Sequence, residues 1–187
     1  MRKLIFAINL TLDGCCDHTK GIPDEELHDY HTALLKDAGT FLYGRKTYQL
    51  MVPFWPDVAA KDPSANPKSI NDFARAFDAI NQIVVFSKTL DKAEGKNTKI
   101  ISGNLRDEVL KLKQEQGKSI LTGGVSIPSQ LIELDLVDEY HFVVQPLLAG
   151  EGTRLLEGIN LPELLKLKLV DTKIFKSGCV ALRYVKN

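Results

Sequence analysis

Apolar positions follow two rhythms along this chain. Leu4–Leu12, LIFAINLTL, is apolar almost throughout, broken mainly by Asn9 and Thr11, and predicts a buried central strand. Over Asp24–Ala38 the period changes. Leu27, Tyr30, His31, Leu34, Leu35 and Ala38 recur every three or four residues, which predicts a helix capped by Asp24 and stopped at Gly39. Thr40–Tyr43 reads as a short strand and Thr47–Met51 as a short helix. Pro53 to Pro67 holds four prolines and predicts a long irregular loop.

The second half repeats the alternation. Ser69–Phe77 reads as a helix and Ile83–Phe86, IVVF, as a buried strand. In Asn104–Gln116, Asn104 is a cap and Leu105, Val109 and Leu112 share a face, so a helix is expected. Ser119–Thr122 is a strand, and Ser126–Leu134 is a helix that tolerates Pro128 in its first turn. Tyr140–Gln145 is a strand, and Leu167–Phe175 and Val180–Val185 flank KSG as a closing hairpin. Strands alternate with helices and the end is β-rich. The expected class is therefore α/β: one domain over 1–187, a sandwich around a mostly parallel sheet with an antiparallel edge.

Composition narrows the function classes. The chain has 187 residues, 44% hydrophobic and 26% charged, which suits a globular domain and argues against disorder. Lys+Arg and Asp+Glu both number 24, so no basic excess points to nucleic acid or an anionic membrane. Apolar runs are too short to span a bilayer, and no signal peptide is apparent. Cys15, Cys16 and Cys179 make no disulfide framework, so a cytoplasmic, reducing location is expected.

Three strand ends carry candidate chemistry: GRKT at 44–47, FSKT at 86–89 and TGGVS at 122–126. In a parallel sheet, turns after the carboxyl ends of strands gather on one edge, where ligands bind. Gly123 and Gly124 would let backbone approach a ligand, and the helix that follows offers free N–H groups to a diphosphate. Arg45, Lys46, Ser87 and Lys88 add charge and hydroxyls, which a phosphate monoester needs. Alone, each cation reads first as a solvated surface charge; it is their joint placement at three strand ends that points to an anion site.

Taken in order, TLDG (11–14), LYGRKTY (42–48), VVFSKT (84–89), LTGGVSIPSQLI (121–132) and DEYHFVVQPLLAGEGTRLL (138–156) resemble the dihydrofolate-reductase-like superfamily. They are most similar to the reductase domain of riboflavin biosynthesis and its stand-alone relatives, over nearly the whole chain. The resemblance implies a three-layer sandwich on an eight-stranded mixed sheet, bound NADPH, and hydride transfer to a small pyrimidine- or pterin-like heterocycle. It assigns Gly44, Arg45, Lys46 and Thr47 to the adenosine-side phosphates, and Ser87 and Lys88 to the 2′-phosphate and adenine rim. Gly123, Gly124, Val125, Ser126 and Ile127 fall at the diphosphate turn, and Asn9 at the nicotinamide carboxamide. It also implies a homodimer.

Dihydrofolate reductases carry a carboxylate on the first long helix; here that position falls near His28, which points away from folate. The zinc deaminase signatures of the bifunctional riboflavin enzyme are absent. A true dihydrofolate reductase and a catalytically silent nucleotide-binding protein stay open as alternatives. On the substrate side, Trp55, Gln145 and Glu151 are candidates, and Asp13 is the preferred proton donor. His28 and His31 lack a third ligand, so no metal site is expected.

Overall fold

Where the periodicities predict strands, the backbone extends, and one eight-stranded mixed sheet results. The computed structural model describes residues 1–95 and 97–187. Along the chain run β1 (Leu4–Thr11), α1 (Glu25–Asp37), β2 (Ala38–Gly44), α2 (Arg45–Met51), α3 (Phe54–Ala60), a 3-10 turn (Pro63–Ala65) and α4 (Lys68–Asp78). Then follow β3 (Gln82–Phe86), β4 (Thr98–Ile101), α5 (Leu105–Gln114), β5 (Ser119–Thr122), α6 (Ser126–Glu133), β6 (Glu139–Gln145), β7 (Leu167–Ile174) and β8 (Val180–Lys186). The strand order is β4-β3-β2-β5-β1-β6-β8-β7. Among the described residues no helix is long and apolar enough to cross a membrane. The chain divides into two compact units, Met1–Arg2 with Pro23–Leu121 and Lys3–Ile22 with Thr122–Asn187.

In the first unit β2 pairs in parallel with β3, and β3 with β4. Phe41, Leu42, Val84 and Val85 are fully buried, as strands covered on two faces require. Phe41 packs its ring 4.9 Å from Phe77 of α4. Asp24 does cap α1, accepting from Leu27 N at 2.7 Å. Two expectations are corrected. Gly39 does not stop α1: Ala38 turns to extended backbone (φ −94°, ψ 149°) and the helix passes straight into β2. Gly39 instead lets strands approach, since a Cβ there would stand 3.2 Å from Lys118 Cβ.

Second, 53–67 is not an irregular loop, because it holds α3 and the 3-10 turn. Pro53 and Pro56 lie at the cap and in the first turn of α3, where no intrahelical N–H is needed. In addition, β4 is a strand that the pattern does not announce. It is a four-residue edge with only Ile101 buried.

In the second unit β1 pairs in parallel with β6, and β8 runs antiparallel to both β6 and β7. The registers sort side chains by face. Tyr140, Tyr184 and Leu169 form one row, Phe142, Leu182 and Thr172 the next, and Val144, Val180 and Ile174 a third. The opposite face sets Glu139, His141, Arg183 and Asp171 beside apolar Val143, Ala181 and Val185. Buried Glu139 accepts from His141 Nε2 at 2.9 Å and from Lys3 Nζ at 3.2 Å. Arg183 Nε stands 3.0 Å away as an ion-pair partner without an aligned hydrogen bond. Burial pushes the Glu139 carboxyl up, but these donors overcome that and its pKa lies below the usual value.

The loops after β1 and β6 are fastened together. Leu12 N donates to Leu147 O and Cys16 N to Thr153 O, each at 2.8 Å. Asp13 is the clamp: it accepts from Thr11 Oγ1, from Ala149 N at 3.0 Å and from Gly150 N at 2.8 Å. Arg154 adds its guanidinium, 3.6 Å from the Asp13 carboxylate and bonded to the Asp13 carbonyl. Gly152 (φ +107°) has no room for a side chain, since a Cβ would meet Cys15 Sγ at 2.6 Å.

The Thr11 hydroxyl, then the two backbone N–H groups, hold the Asp13 carboxyl well below its ordinary 3.8. A depressed folded-state pKa gives stability that is present above the unfolded value and lost as pH falls below it. Asp13→Asn is therefore expected to lower the thermal midpoint at neutral pH. The deficit should persist down to about pH 4 and shrink below it, as the wild-type carboxylate protonates. Thermal melts from pH 7 to pH 3 check this, and a pH-independent deficit would contradict it.

Candidate functional site

In the first unit, the register of β2 with β3 sets Gly44 opposite Phe86. Neighbouring strands are about 4.8 Å apart, so the turns leaving these two strands start side by side. One turn opens α2 directly. Gly44 is its cap (φ −81°, ψ 165°), no side chain occupies the cap, and Arg45 and Lys46 are exposed. The other turn begins at Ser87, whose Oγ accepts from Thr89 N at 3.2 Å and Leu90 N at 3.0 Å. That hydroxyl shapes the turn, and Lys88 is exposed. Arg45, Lys46 and Lys88 form no ion pair among the described residues. The third exit of this unit, Ser102–Asn104 after β4, lies alongside, because Phe86 pairs with Ile101 and Ser87 N donates to Ile101 O.

Trp55 lies elsewhere in this unit. Its ring packs 4.4 Å from Phe73 and 6.3 Å from His28. His28 Nδ1 sits 2.8 Å from Asp24 O, which leaves Nε2 as the other polar atom of that ring. Among the described residues no three His, Cys, Asp or Glu side chains group to hold a metal.

In the second unit, Gly123, Gly124 (φ +83°) and Val125 lead into α6. No side chain caps this helix, so the N–H groups of Ser126 and Ile127 are available to an anion; Pro128 has none and Ser129 N donates to Val125 O at 2.9 Å. Asn9 lies on β1 opposite Val143. Asp13 and Glu151 belong to the fastened loops and Gln145 ends β6, and each has a partner. Gln145 is buried and accepts from Ile22 N at 2.8 Å. Glu151 is exposed and pairs with Lys20 Nζ at 2.8 Å, which lowers its pKa.

Asp13, the expected proton donor, accepts three hydrogen bonds here, and these favour its ionised form. Sequence reasoning also passed over Tyr48, Arg154 and the exit after β4. Thr11 and Asp13 at i, i+2 were a local signal for the clamp. Arg154 and Tyr48 carried none, since their partners are distant in sequence.

Comparison with known proteins fits this architecture. Residues 2–181 match the RibD C-terminal domain family. The Bacillus subtilis (strain 168) protein YyaP is 32% identical over 187 residues, covering 98% of this chain and 94% of its own. A candidate riboflavin biosynthesis protein of Shewanella sp. PV-4 superposes with a TM-score of 0.72 at 17% identity, covering 99% of each chain. The deaminase/5-amino-6-(5-phosphoribosylamino)uracil reductase of Thermotoga maritima gives 0.68 at 17% identity; all of this chain matches 57% of that enzyme. With its dihydrofolate-reductase-like sheet and a match along nearly its whole length, the chain belongs to the RibD C-terminal domain family.

Proposed function

We propose that the protein is an NADPH-dependent reductase of a small, pyrimidine-like heterocycle. The observation that carries this reading is the adjacency of the β2 and β3 exits, with Gly44 opposite Phe86 and three cations outside any described ion pair. A ribose 2′-phosphate is a dianion that asks for such cations and for nearby donors. Considered by itself, the α6 start suits a diphosphate, through free N–H groups after a glycine pair. When bound, NADPH supplies the hydride. The chain's task is to bind, orient and shield. Membership of the RibD C-terminal family supports reduction of a pyrimidine over the two alternatives, reduction of folate and silent nucleotide binding.

The apolar rows of β6, β8 and β7 support a homodimer. Leu169 and Ile174 are 48% and 74% exposed, with Phe142, Val180, Leu182 and Tyr184 half-buried beside them. A net charge of zero sets no general repulsion between copies.

Titration of NADPH fluorescence is expected to show saturable binding; none at millimolar cofactor would overturn the reductase reading. With cofactor bound, a ribosylaminopyrimidine should drive NADPH oxidation and dihydrofolate should not. Arg45→Ala and Lys88→Ala should each weaken NADPH by roughly tenfold and leave NADH nearly unchanged. Equal losses would refute the 2′-phosphate assignment. Sedimentation should show a dimer that Leu182→Glu converts to monomer; a monomeric wild type would refute the shared face.

A further inference from the structure

We propose that Tyr48 is a positioning residue for cofactor choice: it fixes the distance between the cations of α2 and those of the segment after β3. The inference rests on the reading that these cations take a 2′-phosphate. Residues 87–95 have no helix or strand of their own and would be poorly placed without an anchor. Contacts at both ends fasten them, and Thr98 Oγ1 at the start of β4 adds a longer bond to Glu94 O at 3.4 Å. At the start, the Ser87 hydroxyl folds the chain back through Thr89 N and Leu90 N. At the far end, the Tyr48 hydroxyl donates to Glu94 O at 2.5 Å and accepts from Glu94 N at 2.6 Å.

One buried phenol thus satisfies both backbone groups of a single residue, with Tyr48 only 3% exposed. Gly95 then passes so close to the end of α2 that a Cβ there would stand 2.8 Å from Val52 Cγ1. Between strap and helix lies a cleft of about 110 Å³ lined by Tyr48, Gln49, Pro53, Leu90, Lys92 and Glu94. No other hydrogen bond joins α2 to 87–95 among the described residues.

Arg45 and Lys46 stand at the beginning of the helix that carries Tyr48, and Lys88 and Lys92 stand on the strap that Tyr48 holds. A ligand with a 2′-phosphate draws on both sets and gains from their fixed spacing. A ligand without that phosphate does not. Tyr48 therefore acts on selectivity through the strap, without touching the ligand.

Calorimetric binding of adenosine 2′,5′-bisphosphate and of 5′-AMP to the full chain tests this. Tyr48→Phe keeps the ring and removes the hydroxyl. It should weaken the bisphosphate about tenfold and leave 5′-AMP within about twofold. Equal weakening of both ligands, or no change in either, would overturn the positioning role. If the wild type itself fails to favour the bisphosphate over 5′-AMP, the 2′-phosphate reading fails first, and this inference with it. Hydrogen exchange on the wild type gives a readout that needs no variant. The bisphosphate should protect the amides of 45–48 and 88–94 together, whereas 5′-AMP should not protect 88–94. Protection of one segment without the other would contradict the coupling.

Discussion

Parallel pairing between β2 and β3, with Gly44 level with Phe86, is the constraint on which the first unit's chemistry depends. Parallel strands release their chains at the same end, so the register decides which residues become neighbours there. Each residue of slip would move one exit by about 3.3 Å and turn its side chains to the opposite face. Burial holds the register: Phe41, Leu42, Val84 and Val85 have no exposed surface, and Phe77 of α4 locks onto Phe41. The cations outside are thereby placed by apolar residues that never meet a ligand.

Many of the polar side chains expected to face a ligand are engaged inside the protein. Ser87 shapes its own turn, Gln145 holds Ile22, Glu151 pairs with Lys20, and Asp13 clamps residues 149 and 150. Among the described residues, Arg45, Lys46 and Lys88 of the first unit form no ion pair, and in the second unit no side chain caps the start of α6.

Long periodic segments were legible. β1, α1 with its Asp24 cap, α5 with its Asn104 cap and the final hairpin all appear in the pattern, because their burial follows one clear period. β4 was not, since a short edge strand with one buried residue leaves no alternation to read. α3 was hidden by prolines that happen to fall in its first turn. The strand-end motifs of the site were legible as residues, but the tasks of several of them were not. Asp13 is defined by backbone 136 and 137 residues away, and Tyr48 by a partner 46 residues away. Separations of that size are set by tertiary folding and leave no trace in local spacing.

The outer strand β7 shows how the sheet ends. Its register shifts between Leu169 and Asp171, and Lys168, Asp171 and Lys173 lie along it. A bulge twists the row of outward N–H and C=O groups out of line, and charged side chains oppose a flat neighbour. Another chain therefore finds no straight template on which to add a ninth strand. Sheet growth is self-limiting at this border even though the adjacent face is apolar, which guards a β-rich carboxyl end against fibre-like polymerisation.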